Sequence, residues 1–390
     1  MIPALLPTYA RNELAFERGE GAYLFATNGR KYLDFASGIA VTALGHCHPA
    51  LVKALIEQGQ KLWHTSNLFQ IPEQQRLGER LVANTFADTV FFGNSGAEAV
   101  ELAIKMVRKY HDEAGNPGKY RIIGCDGSFH GRTLATLAAA GNQKYLKGFE
   151  PMVDGFDHVP FANMNELRAK ITGETAAILV EPVQGEGGVR AGSDQYLHQL
   201  REVCDEYDLL LVFDEIQCGM GRTGKFLAHE WPDVKPDIAT VAKALGGGFP
   251  VGACLATEKA ASGMKAGTHG STFGGNPLAM HLGNAVLDVM LEPKFLEQVR
   301  RVSEYFHGKL QDLVDKHPGI YVEARGKGLL AGLRCEVPNT EVCDKLRAAG
   351  MVTATAGDNV IRLLPPLIAE EKHIDEAIGY LDQVASDWKR

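Results

Sequence analysis

Two short apolar runs, Leu209–Phe213 and Ile238–Ala242, constrain this chain more than any other feature. A run that lacks the apolar–polar alternation of a one-faced strand is expected to be buried on both sides, as in a parallel sheet covered by helices. The first run leads into Asp214-Glu215 and the second into Lys243 and a glycine-rich turn. Ligands of open α/β sheets gather outside the carboxyl ends of the strands. An acid and a lysine are therefore expected on one rim of one sheet. Both are costly to bury unless something compensates their charge.

The surrounding sequence carries the same grammar. Thr89–Phe92 reads as a strand and Gly93–Gly96 as a turn. Ala97–Tyr110 reads as a helix with its apolar face on Val100, Ala103, Ile104 and Val107. Arg121–Cys125 is a strand followed by a loop holding Phe129, His130 and Arg132. Ala176–Val180 is a strand followed by Glu181 and a glycine-rich loop with Gln184 and Glu186, and Tyr196–Tyr207 reads as an amphipathic helix. Strand and helix alternate from Thr89 to Leu255, which predicts a parallel sheet covered on both faces.

Upstream, residues 1–20 read as an arm plus a short helix. Asn28-Gly29 sits between two apolar runs, a hairpin signal. His46, Cys47 and His48 form part of a loop leading into a helix at Ala50–Lys61, with Pro49 near its first turn; adjacent residues rarely converge on one ion, and no metal is expected there. Downstream, Thr268–Pro277 is rich in hydroxyls and glycine, and Pro277–Met290 reads as a helix. Helices at Glu297–Lys316, Thr340–Ala349 and Glu370–Trp388 then alternate with strands near Gly328–Arg334 and Val360–Leu364. This divides the chain into a large α/β domain (51–284), a smaller C-terminal α+β domain (285–390), and an N-terminal segment (1–50) that joins the smaller one.

Composition closes off other classes. The net charge of −8 and the absence of a basic run argue against nucleic-acid binding. No stretch is apolar for long enough to span a membrane, and the first residues lack the pattern of a secretory leader. Seven scattered cysteines without a C-x-x-C fit free thiols in the cytoplasm.

The paired acid and lysine point to pyridoxal 5'-phosphate (PLP), which takes a lysine for its Schiff base and an acid at its pyridinium nitrogen. The Ser95-Gly96-Ala97 turn opens a helix and offers free backbone N–H groups to a phosphate; the plainer reading makes Ser95 a helix cap. Phe129 can stack on a flat ring and Arg132 can clamp a carboxylate. Arg362, flanked by apolar residues, needs a partner, and Glu186 is a candidate.

These stretches together resemble the class III (ω-amino acid) aminotransferases, PLP enzymes of fold type I. The resemblance rests on TNGRKYLDFASGIAVTALGHCHP, FGNSGAEAVELAIK, GSFHGRT, EPVQGEGG, LVFDEIQCGMGRTG, AKALGGGFPVGA, HGSTFGGNPLA and IRLLPPL in that order, and covers the chain from about Phe16 onward. Within the family the chain is most similar to members acting on N-acetylornithine in arginine biosynthesis. The resemblance implies a mostly parallel sheet flanked by helices, and a homodimer with active sites at the subunit interface. It makes Lys243 the Schiff-base lysine and Asp214 the partner of the pyridine nitrogen, with Glu215, Ile216 and Gln217 in the same cofactor-binding stretch and Gln217 on the phenolic oxygen. Ser95, Gly96 and Ala97 would hold the phosphate, Thr272 would reach it from the other subunit, and Phe129 would stack on the ring. Arg132 would take the substrate α-carboxylate with Ser271 nearby, while Glu186 and Arg362 would form a gate. The implied reaction moves the terminal amine of N2-acetyl-L-ornithine to 2-oxoglutarate. Ile39 stands where an apolar residue suits an acylated nitrogen. Ornithine, N-succinylornithine, N-succinyl-diaminopimelate and 4-aminobutyrate are the alternative donors. A non-catalytic phosphate-binding protein is the alternative from another class, and it would purify colourless.

Overall fold

The computed structural model describes residues 2–388. Its central feature is a seven-stranded sheet in the order Thr89–Gly93, Gly252–Ala256, Ile238–Val241, Leu210–Asp214, Thr175–Val180, Arg121–Cys125, Phe156–Val159. Burial on both faces is visible along the middle strand. Leu210 and Val212 pack with Val100, Ala103, Ile104 and Val107 of the helix Gly96–Glu113. Leu211 and Phe213 pack on the opposite face with Leu197, Leu200 and Val203 of the helix Asp194–Glu206. Successive strand residues point to opposite faces, so a run apolar at every position is satisfied only between two helical layers.

The sheet is not parallel throughout. Gly252–Ala256 is antiparallel to both its neighbours, whereas the other pairs are parallel. Only residues 242–251 separate it from Ile238–Val241, which is too short for a helical crossover. Every other strand runs one way, so the carboxyl ends of Thr89–Gly93, Arg121–Cys125, Thr175–Val180, Leu210–Asp214 and Ile238–Val241 share one rim.

The C-terminal part builds an antiparallel sheet in the order Tyr321–Lys327, Leu330–Cys335, Val360–Leu363, Ala354–Ala356. The helices Phe295–Lys316, Asn339–Ala349 and Glu371–Ser386 accompany it. At the other end of the chain, Tyr23–Ala26 and Lys31–Asp34 form the hairpin expected around Asn28-Gly29, with Gly29 at φ 82. Lys31–Asp34 pairs in turn with Met351–Val352. That pairing supports the proposed grouping of residues 1–50 with 285–390, of which Met1, Lys389 and Arg390 lie outside the described residues. The short helix expected within residues 1–20 does not form among the described residues; Phe16–Glu20 is instead a strand. Pro3 and Pro7 interrupt the preceding arm, and no helical apolar stripe offsets them. His46 and His48 take structural positions. His46 Nε2 lies 2.7 Å from Asp34 Oδ2, and His48 caps the helix Pro49–Gly59 by accepting the Ala50 N–H.

Candidate active site

A cavity of about 600 Å³ opens on the shared rim, a size typical of small-molecule sites. Asp214, the last residue of the middle strand, lines it, as does Lys243 beyond the adjacent strand. Asp214 is buried and tied from several sides. Its Oδ1 accepts the Ile216 N–H at 3.0 Å and the Thr240 hydroxyl at 3.1 Å, and its Oδ2 faces His130 Nδ1 at 2.7 Å. Burial works against protonation of His130, but the hydrogen bond and charge of Asp214 overcome it and raise its pKa. His130 Nε2 is buried with no partner among the described residues.

Lys243 follows Ala242 with φ 46, the left-handed region that a side chain rarely adopts. Protein surrounds its stem while its surface opens to the cavity. Burial, then the charge of Arg362, lower its pKa to about 8 against the pull of Asp214 and Glu181. A usable fraction of neutral amine is thereby present near pH 7. Glu181, next after the strand Thr175–Val180, also lines the cavity. Burial raises its pKa to about 7, and its Oε2 accepts the Phe129 N–H at 3.1 Å.

The plainer reading of Ser95, a helix cap, is what the structure shows. Ser95 caps the helix Gly96–Glu113, its Oγ accepting the Glu98 N–H at 3.2 Å. The N–H groups of Gly96 and Ala97 begin the helix, where no intrahelical acceptor exists, and both residues line the cavity. The antiparallel strand presses on this loop from behind: a Cβ on Gly252 would lie 2.1 Å from the Ser95 carbonyl oxygen. Gly252→Ala is therefore expected to destabilise the fold by about 1–3 kcal/mol, read as a lowered thermal midpoint; an unchanged midpoint would show that the loop yields without cost.

Across the cavity, Arg362 is held on three sides. Its Nη2 donates to Glu186 Oε2 at 2.8 Å and to the Thr355 carbonyl at 2.9 Å, and its Nη1 reaches Gln217 Oε1 at 3.4 Å. Arg132 differs. It is exposed at the mouth, its guanidinium carbon 3.9 Å from the Tyr145 ring centroid and 5.5 Å from that of Phe129. No carboxylate of the described residues pairs with it.

Three expected site residues lie elsewhere in the single chain. Glu215 points away from the cavity: its carboxylate accepts the Ala228 and His229 N–H groups, and its Oε1 lies 2.7 Å from His229 Nδ1. Neighbouring strand-end residues face opposite ways, so Asp214 and Glu215 cannot both enter the site. Ser271 and Thr272 do not line the cavity; Ser271 Oγ instead accepts the Gly274 N–H at 2.9 Å. The cavity also contains residues whose roles sequence reading missed. Glu181 and His130 stood in the expected loops without a role, although Glu181 ends a buried strand as Asp214 does. Ile39 enters on a left-handed turn, Ser37–Ala40, with φ of 46, 61, 65 and 63. Such a conformation costs roughly 1–2 kcal/mol per non-glycine residue. Asp34 Oδ1 offsets part of it by accepting the Ala36 and Ser37 N–H groups at 2.9 and 2.8 Å.

The profile of the family described as aminotransferase class-III matches residues 7–385. The chain belongs to the class III aminotransferases. It is 56% identical over 382 residues to the acetylornithine aminotransferase of Agrobacterium fabrum, covering 98% of this chain and 96% of that protein. An N-acetylornithine aminotransferase structure from Stenotrophomonas maltophilia superposes with a TM-score of 0.85 at 39% identity, covering 97% of each chain. An ornithine aminotransferase structure from Toxoplasma gondii, with partial PLP occupancy at its active site, gives 0.93 at 31% identity, covering 98% of this chain and 92% of that one. Class III aminotransferases are PLP-dependent, and the residues of this cavity fit that cofactor. They supply an amine with no acidic partner among the described residues, a buried carboxylate, the N–H groups of Gly96 and Ala97 at a helix start, and the Phe129 ring.

Proposed function

We propose that this aminotransferase moves the terminal amine of N2-acetyl-L-ornithine to 2-oxoglutarate, giving N-acetyl-L-glutamate 5-semialdehyde and L-glutamate. The observation that carries this reading is the contrast between two arginines of one cavity: Arg132 is open, and Arg362 is masked by Glu186 at 2.8 Å. A donor reacting at its terminal amine keeps its carboxylate far from the reacting carbon and needs only the outer cation. Glutamate reacts at its α-amine and needs a second cation near the reacting carbon, which Arg362 supplies once Glu186 moves away.

When bound, PLP supplies an electron sink on which a C–H bond beside nitrogen can be broken and remade. Asp214, a buried carboxylate held by His130 and Thr240, would favour a proton on the ring nitrogen. Lys243 would anchor the cofactor, and its amine, neutral in part near pH 7, is the group placed to take and return a proton. Gly96 and Ala97 would hold the phosphate with Ser95 fixing their helix, Phe129 would pack on the ring, and Gln217 would meet the phenolic oxygen. Burial of Arg362 makes its ion pair with Glu186 stronger than a surface pair. Removing Glu186 is expected to shift selectivity toward glutamate and away from the ω-amine by about tenfold or more, since a charge-assisted hydrogen bond of about 1.5–3 kcal/mol is no longer exchanged. Half-reaction rates of Glu186→Ala with both amines check this, and an unchanged ratio would contradict the gate.

A homodimer with Thr272 reaching the partner's phosphate site and Ser271 beside the substrate belongs to the same proposal. Exposed Trp63, Leu68, Phe69 and Phe273 support it, since contiguous exposed apolar groups mark contact surfaces. The free thiols of all seven cysteines support a cytoplasmic enzyme.

Ornithine is the second reading, favoured by the higher TM-score of the Toxoplasma structure. Backbone similarity reports the shared fold, whereas identity reports the side chains that line a site, and identity favours the acetylated donor. Ile39, apolar and facing the cavity, favours it too, since an acylated nitrogen carries no charge. The test is a single-turnover half-reaction of the yellow holoenzyme with N-acetylornithine, N-succinylornithine, ornithine and 4-aminobutyrate, each without keto acid. Fastest conversion by N-acetylornithine supports the proposal; fastest conversion by ornithine overturns the choice of donor.

A further inference from the structure

Tyr145 lies on the short helix Gln143–Leu146, outside every stretch given a role above. Its ring face lies beneath the Arg132 guanidinium, 3.9 Å from centroid to carbon. Its hydroxyl donates to Glu186 Oε1 at 3.1 Å, while the other oxygen of the same carboxylate accepts from Arg362 Nη2 at 2.8 Å. The Phe129 ring meets it edge-on at 6.3 Å and 89°. One half-buried side chain thus touches both the open arginine and the carboxylate that masks the other.

We propose that Tyr145 is a positioning residue that couples the two carboxylate sites, seating Arg132 with its ring and holding Glu186 over Arg362 with its hydroxyl. The proposal deepens the two-carboxylate reading and rests on it. Each half of the contact has a separate physical task. Arg132 has a long side chain and no acidic partner among the described residues, so an aromatic face limits the directions its guanidinium can take. Glu186 must leave Arg362 for glutamate to bind, and a second hydrogen bond on its free oxygen weights the masked position. The strength of that bond therefore sets how readily the site passes from the ω-amine to the α-amino acid. Burial and the nearby Glu186 charge raise the phenol pKa, so the hydroxyl stays a donor through the working range.

The two tasks separate in two variants of the holoenzyme. Tyr145→Phe keeps the ring and removes the donor. It is expected to shift the ratio of glutamate to ω-amine half-reaction rates about three- to tenfold toward glutamate, the value of one hydrogen bond. Glutarate, a dicarboxylate with nothing to transaminate, is expected to bind more tightly by a similar factor in calorimetry. Tyr145→Leu also removes the ring and is expected to raise KM for the ω-amine with a smaller change in kcat. The decisive comparison is Tyr145→Phe in a Glu186→Ala background. A residue acting through Glu186 no longer shifts the ratio there, whereas an independent one shifts it equally in both backgrounds. An unchanged ratio in Tyr145→Phe alone, or the same shift in both backgrounds, overturns the coupling. The ratio is taken with whichever ω-amine the wild type converts fastest. A wild type that prefers another donor thus overturns the choice of substrate while leaving this test intact.

Discussion

Replacement of Lys243 by alanine is expected to lower amine transfer by at least about a thousandfold, with the fold intact. No other lysine among the described residues lines the cavity. Its pKa of about 8 places a neutral amine where a proton must be taken and returned. The nearest residues cannot substitute. Arg362 is a permanent cation, and Glu181 is tied to the Phe129 N–H. Lys243→Arg is expected to be as inactive as the alanine variant, because a guanidinium keeps its proton at all working pH values. Single-turnover absorbance with N-acetylornithine measures both. A loss below about tenfold would remove Lys243 from the proton-transfer step.

Asp214→Asn is the second large effect. The amide can keep the bonds to the Ile216 N–H and the Thr240 hydroxyl but carries no charge. Loss of one preorganised electrostatic group typically costs about a hundredfold or more, and single-turnover kinetics should show a fall of that order. The variant should also change stability with pH in a predictable sense. His130 has a raised pKa in the folded protein through Asp214, against the opposing effect of burial. A raised folded pKa contributes stability that is fully present below the unfolded value of about 6.5 and is lost as pH rises through the folded value. Asp214→Asn removes that contribution. The thermal midpoint of the variant is therefore expected to trail the wild type more at about pH 6 than at about pH 9. An equal deficit at both would mean that the Asp214–His130 contact is not an ion pair.

The legible parts of this molecule were those fixed by local physics. Leu209–Phe213 contains no position that tolerates water, so its burial on both faces and the exit of Asp214 onto a rim follow from the run itself. The Asn28-Gly29 hairpin and the Pro49 helix start are likewise local. Glu215 was legible in principle: strand alternation sends it opposite to Asp214, where His229 holds it. The antiparallel course of Gly252–Ala256 was hidden in a loop length and not in any residue type. The left-handed turn at Ser37–Ala40 was not legible, since a β-branched Ile39 argues against it and its side-chain anchors are Asp34 and the distant Leu364 carbonyl, which accepts the Ser37 hydroxyl at 2.6 Å. Tyr145 was silent for a similar reason. Its partners stand 13 residues before it and 41 after it in Arg132 and Glu186, and only the folded rim brings the three together.

The most direct test of the central claim is to reduce the holoenzyme with borohydride and map the digest by mass spectrometry. The account predicts one phosphopyridoxyl group per chain, on the peptide carrying Lys243 and on no other, with the label lost in Lys243→Ala. A label on a different lysine, or a yellow protein that yields none, would contradict the assignment of this cavity.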